Sequence, residues 1–100
     1  MIESLTQQFE AASQKYADAN GFERDADWFL LKLMEEAGEL LQMANRSSGR
    51  SRSKGMSEEE IALLLADETA DLLGHVLLFA HHHQLDLGTA IARKWRFTPA

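Results

Sequence analysis

Two pairs of acidic residues occupy positions that helical periodicity reserves for apolar side chains. Glu36 has Leu33 and Leu40 as its three- and four-spaced neighbours, with Phe29 and Met43 a further turn away on either side. It therefore falls on the apolar stripe of a helix, and Glu39 follows one turn along. In a later segment Glu68 is bracketed by Leu64, Leu65 and Leu72. Asp71 stands three residues on, Asp67 adds an acid beside the pair, and His75 continues the line. Burying an unpartnered carboxylate costs several kcal/mol, or the group keeps its proton. Two such pairs on facing helices also repel, and the inner stripe offers only Lys32 as a cation.

A divalent cation resolves that conflict. Ligation by carboxylates alone selects hard ions, Mg²⁺ or Mn²⁺, over zinc, and Mg²⁺ keeps coordination positions open for water and phosphate oxygens. An acidic cluster open to solvent then reads as a metal-assisted phosphate site. One Glu-x-x-Glu pair on a helix carries no such meaning. The second pair, on a second apolar stripe, is what points to a metal; the competing reading puts these acids on a solvated face.

The elements that must position the acids are helices. Ile2, Leu5, Phe9, Ala12, Tyr16 and Ala19 recur at spacings of three and four, and Asn20-Gly21 follows as a stop signal. A second helix starts near Asp25 or Asp27 and runs to about Asn45. Residues 45–56 (NRSSGRSRSKGM) show no period and read as a flexible basic loop. Ser57 and Glu60 then form a capping box for a third helix reaching about Gln84. That helix is apolar nearly all round, the pattern of a central, buried element. Asp86 caps a short fourth helix that ends by Lys94 or Arg96. Packed antiparallel across the loop, the second and third helices bring the acid pairs to one level: Glu36 lies about 13 Å before Asn45, and Glu68 about 15 Å after Glu58.

The whole is an all-α chain, an antiparallel bundle of about four helices in a single domain over residues 1–100. Its 100 residues include no cysteine, which excludes disulfides and thiolate metal sites. One proline, Pro99, leaves long helices uninterrupted. A net charge of −6 argues against a nucleic-acid coat protein, and no apolar run is long enough to span a membrane. The N-terminus reads as neither signal nor transit peptide, so a cytoplasmic location is the expectation.

The strings KLMEEAGEL (32–40) and ADETADLLGHVLLFA (66–80) resemble the MazG-like all-α nucleoside triphosphate pyrophosphohydrolases. The family pattern is Glu-Glu-x-x-Glu, a gap, then Glu-x-x-Asp. Here it falls on Glu35, Glu36 and Glu39, then on Glu68 and Asp71, with 28 residues between the two parts. The resemblance runs from about Trp28 to Phe97. It implies that Glu36, Glu39, Glu68 and Asp71 ligate Mg²⁺ and that Glu35 orients or deprotonates the attacking water. It implies a nucleotide substrate cleaved between its α- and β-phosphates to a monophosphate and pyrophosphate. Lys94 and Arg96 would contact phosphate, and a homodimer or homotetramer would complete the core and pocket. The Asn that often follows the family's Lys is absent, with Trp95 and Arg96 in that stretch. That departure supports an alternative, a non-catalytic helical module that binds a nucleotide or a partner.

Other residues carry weaker signals. Trp28, Phe29 and Trp95 could stack on a base or simply pack in a core or dimer interface. Lys32 joins Trp28, Lys94 and Arg96 as a candidate substrate contact. Arg50, Arg52 and Lys54 either close over phosphates or belong to a solvated linker. His81, His82 and His83 point in different directions from one helix end, where they complement its dipole. His75 is either a hydrogen-bonded core residue or a neighbour of the metal ligands. A di-iron carboxylate bundle needs Glu-x-x-His pairs, and the chain has none.

Overall fold

The computed structural model describes all 100 residues and contains four helices and no strand. They are α1 (Ile2–Asn20), α2 (Ala26–Ser47), α3 (Glu58–His82) and α4 (Leu87–Trp95). Each boundary has a local cause. Gly21, in the left-handed conformation (φ 69°), closes α1 by donating its N–H to the Ala17 carbonyl. The Asp25 carboxylate caps α2 by accepting from the Trp28 N–H at 2.8 Å. The Ser57 hydroxyl accepts from the Glu60 N–H at 3.1 Å, and Asp86 accepts from the Thr89 N–H at 3.1 Å. The Glu60 carboxylate meets the Ser57 hydroxyl rather than its backbone N–H, so only half of the expected capping box forms.

α2 and α3 make the main contact of the fold and run antiparallel. Phe29, near the start of α2, stacks on His82 at the end of α3 with ring centroids 4.4 Å apart. Midway along, Glu36 stands beside Glu68 and Asp71, the level expected from the helix rise. α1 packs on the other side of α3, where Gly74 lies under the Phe9 ring. Arg24 straps the α1–α2 connection back onto α1. Its guanidinium pairs with Glu10, donates to Ser13 Oγ at 3.0 Å and to Gln14 Oε1 at 2.7 Å, and lies over the Phe29 ring at 5.2 Å.

α3 is central, as its composition predicts, but it is not buried all round. Only nine of the 100 residues are buried, and no large side chain is completely enclosed. The radius of gyration is 15.8 Å, against about 13 Å for a compact chain of this length. The molecule is a slab measuring 42 × 41 × 21 Å. Two apolar stripes lie open on it: Leu30, Met34, Ala37 and Leu41 on α2, and Leu63, Ala66, Ala70 and Leu73 on α3. Both repeat at alternating spacings of three and four, the seam pattern of a helix made to meet another helix. α4 does not cover them, since its packing against the other three helices is slight.

The α1–α3 approach depends on a missing side chain. A Cβ on Gly74 would stand 2.7 Å from Phe9 Cε1, inside contact distance. Gly74→Ala is expected to push α1 away and to lower stability by roughly 1–3 kcal/mol, read as a lower melting temperature. Trimming the ring as well, with Phe9→Leu, should recover part of that loss; purely additive effects would show that the close approach is not the cause.

Candidate metal centre

Four turns of two helices build the acid cluster. α2 presents Glu36 toward α3 because its neighbours on the stripe, Phe29 and Met43, are core residues. α3 answers with Glu68 and Asp71, three residues apart on one face. One carboxylate oxygen from each of Glu36, Glu68 and Asp71 lies within 4.8 Å of the others, and the same holds for Glu35, Glu36 and Glu39. Glu36 is common to both groups and is the most enclosed, with 9% of its side chain exposed. Glu35 and Asp71 stand at the exposed rim. The sequence-derived set of Glu35, Glu36, Glu39, Glu68 and Asp71 is therefore brought together in one place.

Positive charge there is scarce. Lys32 Nζ is 3.2 Å from Glu35 Oε2 and 3.9 Å from Glu36 Oε1. That is one ammonium for five carboxylates. Burial pushes the Glu36 carboxyl up to about 7, the nearby Glu39 and Asp71 carboxylates push the same way, and Lys32 opposes them. Glu68 is raised by burial and then by Glu39, Asp71 and Asp67. His75 Nε2 is 3.9 Å from Glu36 Oε1, too long for a hydrogen bond. Burial and then Lys32 hold its pKa below the usual histidine value, although Asp71, Glu35 and Glu39 pull upward. A neutral imidazole cannot balance the acids.

Hydrogen bonding is incomplete at the same point. Four buried side-chain polar atoms lack a partner within the chain, and three of them are Glu36 Oε2, Glu68 Oε2 and His75 Nδ1. Native folds leave few buried polar atoms unpaired, so three in one cluster mark a site for something the chain itself does not supply. The donor set is all oxygen, carries excess negative charge and is open on one side. It fits a hard dication that retains water or phosphate ligands, Mg²⁺ or Mn²⁺.

The other proposed contacts divide. Lys32 belongs to the cluster, and Trp28 stands behind it with its ring 5.8 Å from His75. Lys94 and Arg96 are exposed at the end of α4 and form no ion pair with any acid of the chain. In the basic connection, Arg50, Arg52 and Lys54 are also exposed, with Lys54 in the left-handed region at φ 54°. Periodicity did not single out Tyr16 and Phe22 as site residues. They join Trp28 in an aromatic group beside the acid cluster, and the Asn20-Gly21 stop that folds the chain back there was the only signal for it. No protein-family model matches the chain, no curated protein is detectably similar in sequence, and no solved structure matches it.

Adding Mg²⁺ or Mn²⁺ is expected to raise the melting temperature, because an ion held only by the folded acids stabilises that state. Without metal, Glu36 has the opposite effect with pH. Its folded value is raised, so the stability it contributes is full below its ordinary value of 4.5 and lost as pH rises through about 7. Glu36→Gln should therefore melt above the unsubstituted protein once pH exceeds about 7, and the gap should close toward pH 4.5. The variant should also lose the response to Mg²⁺. A melting curve indifferent to both metal and this substitution would remove the site.

Proposed function

We propose that the protein is an Mg²⁺-dependent nucleotide pyrophosphohydrolase of MazG-like type. It would cleave the α–β phosphoanhydride of (d)NTPs or related nucleotides, giving a monophosphate and pyrophosphate, and would work in the cytoplasm. The observation that carries this reading is the convergence of Glu36, Glu39, Glu68 and Asp71 with two buried carboxylate oxygens left unpartnered. The family assignment rests on the spacing of these residues along the two helices.

In this reading Glu36, Glu39, Glu68 and Asp71 hold the metal. A bound Mg²⁺ supplies charge neutralisation for the polyphosphate and lowers the pKa of a bound water. Glu35 stands at the exposed rim with Lys32 beside it. Its carboxylate would take a proton from a water whose oxygen bonds to the α-phosphorus as the α–β bridging bond breaks, the bridging oxygen leaving with pyrophosphate. Lys32 holds Glu35 in place through their ion pair and adds a cation to the mouth of a site that must admit an anionic substrate. Neutral His75 packs behind Glu36 and limits its movement.

A second copy of the chain belongs to the proposal, as a homodimer or a dimer of dimers. The open stripes on α2 and α3 give that copy an apolar seam, and the slab shape leaves the single chain short of core. That neither Lys94 nor Arg96 pairs with an acid of the chain favours one rival reading, a nucleotide- or partner-binding module without turnover.

With Mg²⁺ and a panel of (d)NTPs, the purified protein is expected to release pyrophosphate and a monophosphate. Glu68→Gln should reduce the rate by more than about 100-fold, since even outer-shell changes at metal sites cost 10–100-fold. Release of orthophosphate would contradict the bond assignment, and binding without turnover would establish the rival module. In sedimentation the protein should run as a dimer or tetramer. Met34→Glu, at a residue 67% exposed in the single chain, should yield a folded monomer; a monomeric unsubstituted protein would refute the seam.

A further inference from the structure

We infer that the aromatic recess at the start of α2 receives the base of the nucleotide, and that it selects bases with an amino group in place of a carbonyl, cytosine over uracil and adenine over hypoxanthine. The inference rests on the nucleotide reading above and adds the substrate class. The recess has a volume of about 490 Å³, within the roughly 300–1,000 Å³ typical of small-molecule sites. Its walls include Tyr16, Phe22 and Trp28. Phe22 meets Tyr16 edge-on at 6.0 Å and Trp28 at 5.8 Å with the planes tilted by 36°. Rings this close pack against one another and line the recess with aromatic side chains, the kind of partner on which a planar base stacks.

The recess shares a wall with the acid cluster. Lys32 lines it, yet its ammonium reaches Glu35 and Glu36. The Trp28 ring touches His75, which stands beside Glu36. A base lying on Trp28 thus has its sugar and phosphates directed over Lys32 toward the metal ligands.

The rim sets the selectivity. Glu23, Asp25 and Asp27 line the recess, and all three are exposed. Asp25 gives one oxygen to the Trp28 N–H and keeps the other free. Glu23 and Asp27 enter no ion pair. An ionised carboxylate only accepts hydrogen bonds. It is satisfied by the amino group of cytosine or adenine and repelled by the carbonyl oxygen that uracil or hypoxanthine presents at the same place. Aromatic rings rimmed by acids also attract ammonium groups. Here Lys32 at the edge opposes a cation.

The test uses a Trp95→Phe background, which leaves Trp28 as the sole tryptophan. Its emission is followed while α,β-methylene analogues of dCTP and dUTP are added with Mg²⁺. The dCTP analogue should quench Trp28 and bind at least about tenfold more tightly than the dUTP analogue. The exposed double change Glu23→Gln with Asp27→Asn should bring that ratio below about threefold while leaving the melting temperature in place. Equal affinities for the two analogues would overturn the inference and leave pyrophosphate release standing. So would tight binding that leaves Trp28 emission unchanged, or tetramethylammonium competing with the analogue. Absence of both analogue binding and pyrophosphate release would remove the proposed function and this inference together.

Discussion

Everything in this structure turns on five carboxylates being held between two helices that have one ammonium to offer them. The hydrophobic effect draws the helices together through buried side chains, Phe29 and Met43 on α2 and Ile61, Leu77 and Leu78 on α3, and the acids are carried along with them. Apolar burial and charge repulsion thus act on one interface in opposite directions. The chain relieves the repulsion only in part, by protonation: the Glu36 carboxyl is pushed up to about 7. The unpartnered oxygens on Glu36 and Glu68 show that hydrogen bonding within the chain does not finish the task. A dication would do so, and it would turn a folding liability into a site for an anionic substrate.

The rest of the fold is arranged to keep that interface in register. α1 braces α3 from behind, and its closeness depends on Gly74 having no side chain. Arg24 fixes the turn between α1 and α2 through Glu10, Ser13 and Gln14, which sets where α2 begins. The start of α2 in turn decides where Trp28 and Lys32 point. Lys32 is then shared between the acids and the aromatic recess, so one residue links the two. The thin slab has an energetic consequence as well. With nine buried residues and open heptad stripes on both central helices, apolar surface remains for a further helix layer to bury.

Local signals in the sequence determined much of this. Gly21, Asp25, Ser57 and Asp86 mark helix ends because capping needs only a few neighbouring atoms, and the helices begin or stop there. The apolar period placed Glu36 and Glu68 on inward faces, and counting helix rise from the connection put them level; the structure has them within reach of each other. Helix geometry is regular enough for that arithmetic to survive folding. The connection is shorter than residues 45–56, since α2 continues through Ser47.

Only the tertiary structure decided which apolar residues would be covered. Leu33 and Leu40 are half-buried, whereas Leu31, two residues before the first, and Leu41, next to the second, are exposed. A helix that is apolar nearly all round, such as α3, does not itself specify which side its partners take. The meeting of Tyr16, Phe22 and Trp28 and the placing of neutral His75 against Glu36 both depend on how one helix lies against another. Residue spacing fixes a direction around one helix axis. The angle and contact between two axes arise from side chains far apart in the chain, and no local pattern records them.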